Sequence, residues 1–132
     1  MSTEPTPAAE ILLIEDDRDV REAIAEVLEQ EGFVVAVAKN GMDALELLGR
    51  EARPLPAVIL LDLMMPVMDG WQFSAVQQKN ARWASIPVVI LSADSHVGEK
   101  AESLHAAAYL RKPIDLDQLL ATLKPLVRRP GD

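Results

Sequence analysis

The sequence predicts an α/β protein built on one doubly wound parallel sheet of five strands, in the order 2-1-3-4-5, with five helices. Two observations support this prediction. Short runs of consecutive apolar residues recur along the chain and end in polar residues, as expected of strands buried on both faces. Segments of helical periodicity separate these runs and the connections are short, which favours parallel strands joined by helices.

The first half of the chain follows a β-α-β-α pattern. Ile11–Ile14 is an apolar run that predicts the first strand. Apolar residues recur at helical spacing over residues 19–31, and we expect Gly32 to end that helix. Residues 33–38 are strand-like, and the Asn-Gly pair that follows indicates a turn into a second helix.

The predicted centre of the sheet is Val58–Asp62, where four bulky apolar residues end in an acid. Pro66 cannot continue a strand, and Asp69-Gly70 is a turn signal, so we expect a loop here. The fourth strand is Val88–Ser92, which ends in a hydroxyl instead of an acid. The helix between these strands is marked by Trp71, Phe73 and Val76.

The last elements are a weak helix, a strand and a final helix. We expect the helix over residues 96–104 to be the least rigid, because Gly98 lies inside it. Residues 107–110 predict the fifth strand, and Asp115 or a neighbour is expected to cap the helix that follows. The apolar residues of that helix are Leu116, Leu119, Leu120, Leu123 and Val127.

Composition limits the class of protein. One domain is expected over residues 10–128, with disordered tails at residues 1–9 and 129–132. The net charge is −8 and the 13 Lys and Arg residues are scattered, which argues against direct binding to nucleic acid. The chain has no cysteine, signal sequence or membrane-spanning run, so we expect a cytoplasmic protein that binds no membrane.

Polar side chains follow the predicted strands at one edge of the sheet. Glu15-Asp16-Asp17 follows the first strand, and Asp62 ends the third. Carboxylates that converge there repel one another unless a cation is bound, and hard oxygen ligands favour Mg²⁺ or Mn²⁺. Ser92 and Lys112 end the fourth and fifth strands at the same edge and can bind a group with several anionic oxygens.

Five motifs fall in order on these strand ends. They are Ile14-Glu15-Asp16-Asp17, Arg21, the run from Asp62 to Gly70, Leu91-Ser92-Ala93, and Tyr109-Leu110-Arg111-Lys112-Pro113. Together they make residues 10–128 resemble the receiver domain of two-component response regulators, in particular the single-domain, CheY-like receivers. The resemblance implies a flavodoxin-like fold and a signalling switch that catalyses only its own phosphorylation and dephosphorylation.

The resemblance also implies the roles of individual residues. Asp62 would be the phosphoacceptor and Lys112 the ammonium that binds the phosphoryl group. Ser92 would be the switch hydroxyl, with Tyr109 turning inward in response. The Mg²⁺ ligands would be Glu15, Asp16, Asp62 and the backbone carbonyl of Met64. Pro113 would follow a cis bond.

Three consecutive acids, the acid triplet of Glu15, Asp16 and Asp17, must be aligned with the acidic pair of the family. In the family the second acid lies five residues before a frequent arginine, and counting back from Arg21 gives Asp16. Asp17 is then a neighbour and a possible helix cap. Glu15 departs from the family because many members have Asp there, but its charge is kept.

Partners follow from the same resemblance. The phosphoryl donor would be a sensor histidine kinase or a histidine phosphotransfer protein, and a downstream protein target would bind the surface of helix four, strand five and helix five. The chain is expected to be a monomer or a phosphorylation-dependent dimer. Three alternatives stay open: a phosphohydrolase, which would want an acid where Met64 stands; a degenerate docking receiver, which usually lacks one of the reactive groups; and a transcription factor, which would need an output domain.

Overall fold

The computed structural model describes residues 9–50, 54–94 and 96–127. Residues 1–8 and 129–132, which belong to the predicted tails, lie outside the described residues. The strands in the described part of the chain are β1 (Ile11–Ile14), β2 (Val35–Ala38), β3 (Val58–Asp62), β4 (Val88–Ser92) and β5 (Ala108–Arg111). The helices in that part are α1 (Arg18–Gln30), α2 (Gly41–Leu48), α3 (Gly70–Lys79), α4 (Val97–Ser103) and α5 (Leu116–Leu123).

The five strands form one parallel sheet in the order β2-β1-β3-β4-β5. The predicted fold class is therefore confirmed. The chain reverses its direction of winding between β1 and β3, which places a crevice at the carboxyl ends of these two strands. None of the described helices is long and apolar enough to cross a membrane.

Alternate residues of the central strands bury on opposite faces of the sheet. Leu12 and Ile14 of β1 belong to one buried cluster, whereas Ile11 and Leu13 belong to the other. The first cluster is covered by buried residues of α2, α3 and α4, and the second by those of α1 and α5. This two-sided burial explains why the strands appear in the sequence as continuous apolar runs and not as alternating ones.

The end of α1 explains why β2 is shorter than predicted. Gly32 adopts a left-handed conformation with φ 91°, which few other residues tolerate. The chain then turns so that the Phe33 N–H donates to the carbonyl of Leu28. Phe33 is buried in this turn and is not part of the strand, which begins at Val35.

The structure refines the predicted details of two later helices. The loop expected after β3 is present, and Asp69 ends it as the cap of α3, because Asp69 and Gln72 form a reciprocal capping box. Helix α5 ends at Leu123, and Leu116 is half exposed instead of buried in the apolar stripe. Val76, which helped to mark α3, is also exposed, because the buried face of that helix is formed around Phe73.

Candidate functional site

The register of the sheet brings the predicted polar side chains to one edge. Ile14 pairs with Leu61, so the residues that follow them, Glu15 and Asp62, are neighbours across two strands. Asp62 pairs with Leu91, and the next residue, Ser92, pairs with Arg111. Lys112 comes directly after that pair, and its N–H donates to the Ser92 carbonyl at 2.9 Å. Four different strands therefore deliver one polar group each to the same edge.

An open cavity of about 580 Å³ lies at this edge. Its lining includes all six residues that the sequence analysis selected for chemistry: Glu15, Asp16, Asp62, Met64, Ser92 and Lys112. The predicted residues are thus brought together in space. Tyr109 alone among the predicted functional residues lines a different cavity.

Three carboxylates form a cluster in the cavity. Oxygen atoms of Glu15, Asp16 and Asp62 lie within 4.8 Å of one another. Glu15 and Asp62 are buried, whereas Asp16 is exposed to solvent. A close group of hard oxygen donors with one side open to water suits Mg²⁺, which retains several water ligands when it binds to proteins. The residues present therefore fit the predicted cation.

Lys112 is bound to two of these acids. Its ammonium donates to both carboxylate oxygens of Glu15 at 3.0 Å and lies 3.6 Å from Oδ2 of Asp62. The bond between Lys112 and Pro113 is cis, as the resemblance implied. Since each carboxylate oxygen has more than one lone pair, the contact with Lys112 leaves Glu15 able to accept a further ligand.

The cavity is short of positive charge. Burial raises the pKa of the Asp62 carboxyl from 3.8 to about 7, the charge of Glu15 adds to the rise, and Lys112 opposes it. Burial alone would lower the pKa of Lys112, but its hydrogen bond to Glu15 and the charge of Asp62 outweigh burial and raise it. The ammonium is therefore firmly charged, whereas Asp62 lacks a sufficient counter-charge.

The structure separates the roles of the acid triplet. The Asp17 carboxylate accepts from the Val20 N–H and caps α1, as the sequence analysis suggested. Arg21 donates to the backbone carbonyls of Glu15 at 2.8 Å and Asp16 at 3.4 Å, and so fixes the backbone from which both acids project. Asp16 is left with its carboxylate in the acid cluster.

The loop after β3 is held close to the sheet. The Met64 N–H donates to Oδ1 of Asp62 at 3.3 Å, which orients that carboxylate. Gly70 is required here because an added Cβ would lie 2.8 Å from Cα of Leu63 and 2.9 Å from the Asp62 carbonyl oxygen. Val67 has a positive φ of 70°, an uncommon conformation for a β-branched residue.

Two residues of this cavity were missed by the sequence analysis. The Asp94 N–H donates to Oγ of Ser92 at 3.1 Å, and the Asp94 carboxylate pairs with the Lys100 ammonium at 2.5 Å. Both residues line the same cavity as Asp62. The sequence offers no pattern that identifies them, because their position depends on how α4 turns back towards the sheet edge.

Tyr109 points away from the acid cluster. Its side chain is half exposed and lies against Gly98 of α4, where an added Cβ would be 3.4 Å from the ring. A second cavity of about 450 Å³ lies between α4 and β5 beside this ring. Gly98, which made α4 weak in the sequence analysis, therefore also provides the surface against which the Tyr109 ring packs.

Comparison with known proteins agrees with this arrangement. A family model described as the response regulator receiver domain matches residues 11–124. The response regulator MprA of Mycobacterium leprae is 37% identical over 121 residues, which are 90% of this chain and 51% of that protein. The response regulator Rre1 of Synechocystis is 37% identical over 122 residues, which are 90% of this chain and 52% of that protein. The chain thus spans about half the length of these curated relatives.

The structural comparison leads to the same family. The receiver domain of the Francisella response regulator 1452 aligns with a TM-score of 0.78 and 28% sequence identity, covering 89% of this chain and 94% of that domain. The family model covers most of the chain and includes every strand and the acid cluster. The chain belongs to the response regulator receiver domains, the phosphorylation-activated signalling modules of two-component systems.

Proposed function

We propose that this chain accepts a phosphoryl group on Asp62 from a phosphohistidine and signals through a changed surface on α4, β5 and α5. The observation that supports this most strongly is the burial of Asp62 at the end of the central strand, inside a cavity that also holds Glu15, Asp16 and Lys112. The donor would be a sensor histidine kinase or a histidine phosphotransfer protein.

The proposed reaction is an in-line transfer between two proteins. A carboxylate oxygen of Asp62 forms a bond to phosphorus while the bond from phosphorus to the donor histidine nitrogen breaks. The electron pair of that bond stays on the imidazole, which leaves as a neutral ring once its nitrogen holds a proton from solvent. Oδ1 is already oriented by the Met64 N–H, and Oδ2 faces Lys112.

Charge balance explains the other groups. Glu15, Asp16, Asp62 and the backbone carbonyl of Met64 would hold Mg²⁺, or Mn²⁺ in its place. When bound, this ion supplies positive charge beside the carboxylates and the phosphoryl oxygens. Lys112 supplies a fixed ammonium at the same place, because its bonds to Glu15 position it 3.6 Å from Asp62.

Signal output would begin at Ser92. Its hydroxyl can donate to a phosphoryl oxygen, and the segment after it is bonded to it through the Asp94 N–H. Movement of this segment would leave room for Tyr109, now half exposed, to turn inward. The altered surface would bind a downstream protein target in the cytoplasm or a second copy of the chain. The domain would act as a switch and catalyse only its own phosphorylation and dephosphorylation.

The test is labelling by a small phosphodonor. Incubation with acetyl phosphate and Mg²⁺ should add one phosphoryl group, and peptide mass spectrometry should find it on Asp62. Asp62→Asn should abolish labelling because an amide is not a nucleophile, whereas Asp17→Asn, which changes a neighbouring acid in the same cavity, should be labelled normally. Undiminished labelling of Asp62→Asn would refute the proposed function.

A further inference from the structure

Lys100 brings a second ammonium to the cavity of Asp62. It projects from α4, pairs with the Asp94 carboxylate at 2.5 Å, and lies 5.4 Å from the centre of the Trp71 ring. The Lys100 ammonium therefore lies between the Asp94 carboxylate, in the segment after Ser92, and the Trp71 ring of α3. The residue has no part in the charge balance described above.

The charges of the cavity show why this lysine matters. Among its described lining residues there are five carboxylates and two ammonium groups, Lys100 and Lys112. Lys112 is already bound to Glu15 and faces Asp62. A phosphoryl group on Asp62 adds a charge of about −1.5 to −2 at neutral pH. Of the two lysines, Lys100 is the one whose present partner, Asp94, does not belong to the acid cluster.

The present ion pair of Lys100 can be exchanged at low cost. The side chains of Lys100 and Asp94 are 29% and 37% exposed, so water reaches both partners of the ion pair and can hydrate Asp94 when the pair separates. Asp94 also keeps another partner, because its Oδ1 accepts from the His96 N–H at 2.7 Å. Release of Lys100 would therefore leave Asp94 both hydrated and hydrogen-bonded.

We propose that Lys100 is a second cation of the phosphorylated site, held above Trp71 by Asp94 until a phosphoryl group on Asp62 takes over its ion pair. This inference rests on the proposed function. Since Lys100 is part of α4 and Asp94 is bonded to Ser92, the exchange links the charge on Asp62 directly to the position of that helix. Trp71 loses its cation when the exchange occurs.

The fluorescence of Trp71 tests the exchange. The chain has two tryptophans, so Trp83→Phe leaves Trp71 as the single emitter. Beryllofluoride, which stands in for the phosphoryl group on a carboxylate, should change the Trp71 emission beyond the effect of Mg²⁺ alone. Adding Lys100→Met should remove that further change. If the change persists at full size without Lys100, the proposal is wrong.

The affinity for beryllofluoride gives a second test in the chain with both tryptophans. In the presence of saturating Mg²⁺, Lys100→Met should weaken beryllofluoride binding by about tenfold, the factor that 1.4 kcal/mol represents. Lys100→Arg should restore most of the affinity because it keeps the charge. Lys79→Met removes an equal charge at the far end of α3 and should bind as the unmodified chain does.

The two proposals fail in different ways. If acetyl phosphate does not label Asp62 in the unmodified chain, the proposed function is wrong and this inference falls with it. If Asp62 is labelled but Lys100→Met binds beryllofluoride as tightly as the unmodified chain, only the role of Lys100 is wrong.

Discussion

The cavity has an acid side, formed by Glu15 and Asp62, and a switch side, formed by Ser92 and the segment that leads into α4. The two sides are held in place by different means. On the acid side, Glu15 and Asp62 are buried, lie at the carboxyl ends of adjacent central strands, and share Lys112. On the switch side, Ser92 leads into a loop and then into α4, a helix of seven residues without a side-chain cap hydrogen bond at its start. By contrast, α1 has 13 residues and is capped by Asp17.

This difference suits the two tasks that we propose for the domain. Groups that carry out a reaction must already be in position, and a buried parallel sheet provides that. An element that responds to a new charge must instead be close in free energy to another arrangement, since a ligand can shift an equilibrium only by its differential affinity. Under the proposed function, the fold would place the reacting groups at strand ends and the responding ones on α4.

The largest expected effect concerns stability on the acid side. Asp62→Asn should raise the free energy of unfolding of the metal-free protein by about 3 kcal/mol at pH 8, because the charged carboxylate is poorly compensated. The pKa of Asp62 is raised from 3.8 to about 7, so the cost of its carboxyl group to folding grows between about pH 4 and pH 7 and is complete above pH 7. The difference between the two proteins should shrink as the pH falls from 7 and vanish near pH 4.

Urea unfolding in the presence of EDTA, followed by circular dichroism, measures this difference. Asp17→Asn is the control, and it should change stability little, because the Asn side-chain oxygen can still accept from the Val20 N–H and cap α1. Equal stability of Asp62→Asn and the unmodified chain at pH 8 would show that the buried charge of Asp62 does not destabilise the fold.

Two glycines offer a direct comparison of the sides. Gly70→Ala should destabilise the protein by about 2 kcal/mol, because its Cβ would lie only 2.8 Å from the backbone of Leu63. Gly98→Ala should stabilise it by about 0.5–1 kcal/mol, because alanine favours a helix and its Cβ would meet Tyr109 at an ordinary 3.4 Å. Thermal unfolding of both variants shows whether each one gains or loses stability. A loss of stability in both would contradict the comparison.

A further effect on the acid side concerns the metal. Asp16→Asn should weaken Mg²⁺ binding by about tenfold, because one anionic ligand is lost. Asp17→Asn should leave the affinity unchanged, since that carboxylate is occupied at the start of α1. Titration calorimetry on the two variants separates these expectations, and the reverse pattern would mean that the acid triplet is used in a different register.

The acid side could be predicted from the sequence because apolar runs define where buried strands end. Asp62 ends β3 and Ser92 ends β4 at the residues predicted, and parallel strands bring such ends together. The spacing to Arg21 also separated Asp16 from Asp17, whose capping role the structure shows. These positions depend on local patterns and on sheet register, which the sequence specifies strongly.

The switch side could be predicted only in part. The expectation that α4 is the least rigid helix follows from Gly98 and stays a prediction, whereas the pairing of Lys100 with Asp94 depends on how the helix turns over the sheet edge. The exposure of Leu116 likewise depends on where α5 meets the sheet and not on its helical spacing. Side-chain positions of this kind are set by tertiary packing, for which residue patterns are a weak guide.

Amide NMR on the free protein, with Mg²⁺ alone and with Mg²⁺ and beryllofluoride, tests the division of tasks most directly. The account predicts that beryllofluoride shifts resonances mainly around Ser92 and over residues 96–124, with small changes over residues 19–50. Sedimentation of the same samples separates a change within the monomer from dimer formation. Shifts confined to residues 19–50 would contradict the account, because the response would then lie outside α4, β5 and α5.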